Sequence, residues 1–278
     1  MGNDVFLRWY GGNLGLGKGA GNGNSTGVNS IAIGDGSQGT GLQTVGINYT
    51  LGTQAGLSLT SGQKNFFGNF QAGLASSSAT DNNLIGYKIG NAQTDATDNN
   101  GLGTQALLSN VHGSRNTAFG TNSIVFNEGN DNIGVGYFAG FNSLTSDGNV
   151  FVGNKSGYSA TTGDYNISIG TGVDVVSATT SGQLNIGNLI YGSGLYQSTT
   201  QSSTPVDGRV GIGVAIPAAS SILDLTSANK GFLPPRMTTT EINAISSPAA
   251  GLVVYNTTLA ALCFYDGSGW RKVSHSAM

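Results

Sequence analysis

The chain has 278 residues, of which 46 are glycine, and only 9% are charged, giving a formal net charge of -3. Proteins on average contain about 7% glycine and about 25% charged residues, so an ordinary salt-bridged globule is excluded. The 11 Lys and Arg residues leave no basic stripe for nucleic acid, and a hydrophobic content of 38% argues against disorder.

Residues 1–27 are interpreted as an N-terminal leader in which an apolar, aromatic cluster precedes a glycine-rich stretch. The cluster consists of Phe6, Leu7, Trp9 and Tyr10. Burying two large aromatic side chains supplies several kcal/mol at about 25 cal/mol per Å², so the cluster is a candidate docking site for another protein. A cap over the first repeat is an equally good interpretation.

Signals for export, membrane insertion and cofactors are not found. The leader has no apolar core of a secretory signal, and no run reaches the length that spans a bilayer. A glycine-rich loop ends at Lys18, but Gly19 stands where a phosphate-binding loop needs Ser or Thr. His112 and His275 lack metal-ligand spacing. We therefore expect a chain made in the cytoplasm, with no cofactor and no membrane insertion.

Residues 28–190 contain about ten copies of a unit of about 17 residues, which is the signature of a repeat architecture. A glycine after a short apolar stretch marks each copy: Gly34, Gly52, Gly68, Gly86, Gly103, Gly120, Gly136, Gly153, Gly170 and Gly187. A second signal, such as Ala139-Gly-Phe141, follows the marked glycine. The pattern predicts a parallel β-roll or β-solenoid whose coils each contain about two strands and two corners.

An apolar residue precedes every marked glycine, and most repeats have another apolar or β-branched residue two positions earlier, as in a strand with one buried face. The first row consists of Ile33, Leu51, Phe67, Ile85, Leu102, Phe119, Val135, Val152, Ile169 and Ile186. Coils this thin offer little core of their own, so we predict that this row is the core of a homotrimer. A self-sufficient monomeric solenoid is the alternative.

Residues 191–207 are predicted to be a linker, and residues 208–278 a small β-rich C-terminal module with one short helix. Thr238 and Glu241 have the spacing of a capping box, which predicts a helix over residues 239–245. Two apolar runs flank a turn and predict a hairpin. Three side chains near the end are candidates for contact with a ligand or partner, or for the core of the module: Tyr265, Trp270 and Arg271.

Catalysis is not expected. Only paired carboxylates could support it, as in glycan hydrolases, and the candidates are Asp95 with Asp98 and Glu128 with Asp131. Each lies in the turn before a repeat, where Asp serves as a corner former. Cys263 lies among apolar residues and is expected in the core.

The repeats resemble known fibrous proteins. The segments from Asn29 to Gly34, NSIAIG, and from Asn166 to Gly170, NISIG, are similar to the head repeats of trimeric autotransporter adhesins and of phage fibres, although the unit is longer than the adhesin repeat. Residues 208–273 carry GxVGIGxxxP, LDLTSxxKGFLPPRMTT, GLVVYNT and FYDGSGW, which resemble a module near the C-termini of phage tail fibres.

These resemblances imply an all-β, trimeric structural protein of a virion, a tail or head fibre that is made in the host cytoplasm. The leader would then bind other virion proteins, and the C-terminal module would contact a glycan or protein on the host surface. A bacterial trimeric surface adhesin and a fibre-borne glycan hydrolase are the alternatives.

Overall fold

The computed structural model describes residues 7–10, 12–22, 29–38, 46–195 and 208–274. The chain divides into two compact units, residues 1–226 and residues 227–278. The first unit is a parallel β-solenoid, and the second is a small β-rich module with one short helix. The predicted fold class, all-β with a solenoid and a C-terminal module, is confirmed.

One sheet runs through the first unit. Strand β1 (Leu7–Tyr10) pairs antiparallel with β2 (Asn13–Leu16), and from β2 to β12 each strand pairs parallel with the next one along the chain. The other strands of this series are β3 (Ile31–Ile33), β4 (Asn48–Leu51), β5 (Asn65–Gly68), β6 (Asn83–Ile85), β7 (Asn100–Leu102), β8 (Thr117–Phe119), β9 (Ile133–Val135), β10 (Val150–Val152), β11 (Ile167–Ile169) and β12 (Leu184–Ile186).

The sheet extends beyond the repeat at both ends. β2 lies inside the predicted leader and is the first parallel strand, so part of the glycine-rich stretch belongs to the solenoid. After β12, the sheet continues through β13 (Ile190–Ser193), β14 (Arg209–Ile212) and β15 (Leu223–Leu225). The boundary between units therefore follows residue 226, whereas the sequence prediction had placed it in residues 191–207.

Each coil contains one short strand followed by turns, which corrects the expectation of two strands per coil. In the coil that begins at Gly86, four residues have a left-handed φ: Gly86 at 154°, Lys88 at 53°, Gly90 at 52° and Asp98 at 59°. Left-handed backbone costs a non-glycine residue roughly 1–2 kcal/mol. Hydrogen bonds to neighbouring coils offset this cost, since the Lys88 N–H donates to the Phe70 carbonyl at 2.9 Å.

In most coils the glycine after the strand is required by close approach of the next coil. At Gly136, φ is 137°, and a Cβ would lie 2.5 Å from the carbonyl oxygen of Gly153. In one repeat this position belongs to Asn69, with φ of 94°, while Gly68 is paired within the strand ladder. The sequence marker Gly68 was therefore wrong by one residue. With Asn69 in its place, both adjacent spacings become 17 residues.

We expect Gly136→Ala to destabilise the protein by about 3 kcal/mol or more, because strain adds to a steric overlap with backbone. Gly172→Ala is the matched control: its φ is 67°, but no atom lies within 4 Å of an added Cβ, so it should cost about 1 kcal/mol. Denaturation followed by circular dichroism at equal chain concentration measures both. Equal losses would contradict the close-approach explanation.

The solenoid interior is filled by the middle residue of each strand. This inward row consists of Ala32, Thr50, Phe67, Leu84, Gly101, Ala118, Gly134, Phe151 and Ser168. Phe67 and Phe151 are completely buried in their own chain. Glycines make room for them, because a Cβ at Gly73 would lie 2.6 Å from the Phe67 ring, and one at Gly140 would lie 2.6 Å from Phe151.

A buried ladder of polar side chains runs along one corner of the coils. Its rungs precede the strands by one residue or begin them: Asn13, Ser30, Asn48, Asn65, Asn82, Asn99, Asn116, Asn132, Asn149, Asn166 and Gln183. At each step the side-chain oxygen of one rung accepts a hydrogen bond from the backbone N–H of the next rung, at 2.8–3.1 Å. The ladder satisfies corner backbone groups that burial would otherwise leave unpaired.

The second unit is a four-stranded sheet with one helix. Its strands, in sheet order, are β16 (Arg236–Met237), β17 (Val253–Asn256), β18 (Ala261–Tyr265) and β19 (Trp270–Lys272). Helix α1 (Thr239–Asn243) begins with the predicted capping box, in which Thr238 and Glu241 exchange hydrogen bonds, so that prediction is confirmed. Ile242 of the helix packs with Val254 and Cys263, and Cys263 is buried as expected.

Candidate chain–chain interface

In each strand, the residues before and after the inward residue point out of the coil. They form two rows of an apolar stripe on the solenoid surface, the first row before the inward residue and the second row after it. The second row of the stripe consists of Leu16, Ile33, Leu51, Gly68, Ile85, Leu102, Phe119, Val135, Val152, Ile169 and Ile186. Several of its members are more than a third exposed, among them Ile33 at 38% and Leu102 at 53%. The predicted core row is therefore not covered by its own chain.

Phe67 was predicted to belong to the trimer core, and the structure shows that this was wrong. It occupies the inward row opposite Thr50 and Leu84, with no exposed surface, so it is unable to contribute to an interface between chains. Gly68 takes its place in the stripe.

The first row of the stripe lies two residues before the second along each strand. It consists of Leu14, Ile31, Tyr49, Phe66, Asn83, Asn100, Thr117, Ile133, Val150, Ile167 and Leu184. Apart from Asn83, Asn100 and Thr117, all of these residues are apolar or aromatic. Monomeric proteins rarely expose contiguous apolar patches of more than a few hundred Å², so a stripe that follows the solenoid is a candidate surface for contact with another chain.

The stripe continues past the repeat in the same sheet. Ile186 is paired with Ile190, Ile190 with Ile212, and Ile212 with Leu225. Ile212 is 38% exposed and Leu225 is 44% exposed. Directly paired residues lie on the same face of a sheet, so the apolar stripe extends through β15.

At the other end, β1 brings two predicted docking residues onto the stripe. Leu7 is paired with Leu16, and Trp9 with Leu14, and both side chains are more than two thirds exposed. β1 also covers the edge of the first parallel strand, which is how natural sheets avoid uncontrolled pairing. Phe6 and the side chain of Tyr10 lie outside the described residues.

The second unit has an uncovered apolar face of the same kind. Val254 and Cys263 point towards the helix, whereas Val253 and its partner Phe264 point away from it and are exposed. Leu262 lies on that exposed face as well. One side of this small sheet is therefore a second candidate contact surface.

The three candidate contact residues near the C-terminal end have partners within the chain. Trp270 packs against the apolar core of the second unit, and its ring meets Tyr265 edge-on at 5.5 Å. Arg271 Nε donates to Asp266 at 2.5 Å. This bond, together with those from Ser268 and Gly269, holds the pKa of Asp266 far below its usual range. Their geometry favours a structural role, while a contact role remains a prediction.

Three of the four carboxylates considered for catalysis, Asp95, Glu128 and Asp131, form bridges between coils. His112 Nδ1 and Asp95 Oδ1 are 2.5 Å apart. Their hydrogen bond raises the pKa of His112 and lowers the pKa of Asp95. Asp131 accepts two hydrogen bonds from Arg115, at 2.7 and 2.8 Å. These groups are exposed on the solenoid surface, and no cluster of metal-ligand side chains occurs in the described residues.

A cluster of aromatic side chains lies on neighbouring coils of the solenoid, apart from the rows of the stripe. Phe141 stacks on Tyr158 with an angle of 3° between rings, and Phe138 meets both edge-on. Phe126 and Tyr137 complete the cluster, and each is more than 40% exposed. Phe141 and Tyr158 are 17 residues apart, at the position of the second signal, but Phe126, Tyr137 and Phe138 have no aromatic counterpart at that spacing. The cluster as a whole was therefore not found from the sequence.

Residues 211–278 match the family model of the phage tail like trimerisation region. The C-terminal part of the chain is a phage tail-fibre-like trimerisation module, as its resemblance implied. No curated protein and no solved structure matches the chain. Together, this module and the solenoid indicate a trimeric structural protein of the fibre type. No helix among the described residues is long and apolar enough to cross a membrane.

Proposed function

We propose that three copies of the chain associate through the apolar stripe to form a virion fibre. The observation that carries this proposal is the continuity of the stripe with the trimerisation module. Ile212 and Leu225 belong to the matched region, and they extend the same exposed rows that begin in the repeat. The surface that needs a partner and the region whose relatives trimerise therefore share one sheet.

The stripe also has the composition of an interface that excludes water. Its side chains are aliphatic or aromatic over most of its length, and over residues 46–190 the charged residues all lie outside the strands. Moving an aliphatic side chain from half-exposed to buried contributes about 1 kcal/mol, and the repeat supplies this gain on coil after coil in each of three chains.

Light scattering on the intact chain tests the trimer. We expect a mass of three times 28.1 kDa that persists on dilution. A folded protein with the mass of one chain would contradict the proposal, because the stripe would then be stable in water.

We further propose that the N-terminal cluster of Phe6, Leu7, Trp9 and Tyr10 binds other virion proteins, and that the fibre attaches the particle to a host glycan or protein. Leu7 and Trp9 lie only at the first end of the stripe, and the later coils supply most of the contact between chains. Leu7→Ser with Trp9→Ser should therefore leave the trimer mass unchanged and prevent incorporation into particles. A density map of the particle tests docking, because it shows where the fibre is attached. Competition between the purified trimer and particles for host cells tests host attachment, and we expect the trimer to compete. Normal incorporation of the variant would contradict the docking role.

A further inference from the structure

The apolar stripe is interrupted at one place along the repeat. Asn83 and Asn100 occupy adjacent positions of its first row, between Phe66 on one side and Thr117 on the other. Both asparagines are exposed, while the residue after each of them points inward. Ile85, Leu102 and Phe119 border the same shallow depression.

The two carboxamides lack partners within the part of the chain that the structure describes. The backbone N–H groups of Asn83 and Asn100 donate to the backbone carbonyls of Asn99 and Asn116, which lie in the next coil. Neither side chain makes a hydrogen bond to a described residue. They differ in this from the ladder asparagines, whose side chains bond to the next coil. If the stripe is covered, these amides must find partners on the covering chains, since an unpaired buried amide costs about 1–3 kcal/mol.

A repetitive interface has a particular problem that this pair can solve. Because every coil presents a similar apolar pair at a period of about 17 residues, a chain that slips by one coil along its neighbours loses only one coil of contact. Register is weakly specified wherever the pattern is uniform. A polar residue buried at a single layer is known to fix register and chain number at some cost in stability.

We infer that Asn83 and Asn100 set the axial register of the trimer by bonding to the same residues of two further copies of this chain. The inference rests on the proposed trimer. In register, six carboxamides meet in two adjacent layers and can pair with one another. A slip of one coil leaves Asn100 of one chain opposite Asn83 of another. It places Asn83 of the first chain opposite Phe66, and Asn100 of the second chain opposite Thr117, so these amides lose their partners.

The test combines Asn83→Val and Asn100→Val, which make the row resemble its later members Ile133 and Val150. Register is measured by disulfide formation in a mixture of two chains with different tags. One chain carries Ile133→Cys and the other carries Ile167→Cys, and both carry Cys263→Ser. In register, these cysteines lie two coils apart, about 9.6 Å along the stack at about 4.8 Å per strand, which exceeds the reach of a disulfide, about 7 Å. A slip brings them closer.

We expect the mixed disulfide between the tagged chains to rise roughly threefold or more in the valine variant, while the trimer mass is kept and the apparent Tm does not fall. Asn154→Val, an exposed asparagine outside the stripe, should leave the mixed disulfide at its original level. A trimer of valine variants with an unchanged disulfide yield would overturn the register inference alone. A monomeric parent chain, with no disulfide between two Ile133→Cys chains, would overturn the proposed trimer itself.

Discussion

The double substitution Val152→Asp and Ile169→Asp is expected to convert the trimer into separate chains or to prevent its assembly. The two residues lie on adjacent strands in the second row of the stripe, so three chains would place six carboxylates in two adjacent apolar layers. Burying an unpaired carboxylate costs several kcal/mol, and like charges repel across a low-dielectric interface. Light scattering should report a mass near 28.1 kDa or heterogeneous aggregates.

The matched control places the same charges on the same coils but outside the stripe. Asn154→Asp and Thr171→Asp change exposed residues that follow the corner glycines. This double variant should keep the trimer mass and melt within a few degrees of the parent protein. If both variants stay trimeric, the stripe is not the surface that the chains share.

Asn82→Leu is expected to lower the free energy of unfolding by about 2–5 kcal/mol, because it leaves two buried backbone groups without partners. The Asn82 side-chain oxygen accepts from the Asn99 N–H at 3.0 Å, and its amide donates to the Ala96 carbonyl at 2.8 Å. Leucine fills a similar volume and replaces neither bond. Circular dichroism melts at one fixed chain concentration measure the effect, since association makes Tm depend on concentration.

Two further variants separate hydrogen bonding from packing in the ladder. Asn82→Ser should lose less stability, because Ser30 already serves as a rung whose hydroxyl accepts from the Asn48 N–H at 3.1 Å. Asn154→Leu changes an exposed asparagine and should alter stability by about 0.5 kcal/mol at most. If Asn82→Leu were no worse than Asn154→Leu, the ladder would not be a main support of the coil.

The period and the corner chemistry of the solenoid could be read from the sequence. A glycine every 17 residues, with an apolar residue before it, predicts stacked parallel strands because only glycine tolerates the close approach observed at Gly136. The helix at Thr239–Asn243 was predictable from Thr238 and Glu241 for a similar reason, since a capping box is a local pattern.

The direction of each side chain was harder to predict. Strands such as Ile31–Ile33 and Ile167–Ile169 have an apolar residue at both ends and a small one in the middle, and the sequence alone does not say which face is inside. The interior of a 17-residue coil accommodates Ala32 or Gly101 more readily than the larger aliphatic residues, so small residues point inward. Phe67 and Phe151 are accommodated only because nearby glycines lack a Cβ.

The asparagine ladder was visible as a pattern but not as a network. Asn65, Asn82 and Asn99 recur at the repeat period, and asparagine in that position is typical of a turn. Their burial depends on the next coil closing over them, which is a tertiary event. The same residue type has the opposite environment one position later, at Asn83 and Asn100, because alternate residues of a strand face opposite sides.

Chemical cross-linking at the stripe tests the shared surface most directly. Val152→Cys in a Cys263→Ser background should react with a short trivalent maleimide to give covalent species of up to three chains and none larger. Asn154→Cys, on the same coil but off the stripe, should be labelled without linking chains. Linkage from Asn154→Cys, or labelling of Val152→Cys that joins no chains, would contradict an interface built on the apolar stripe.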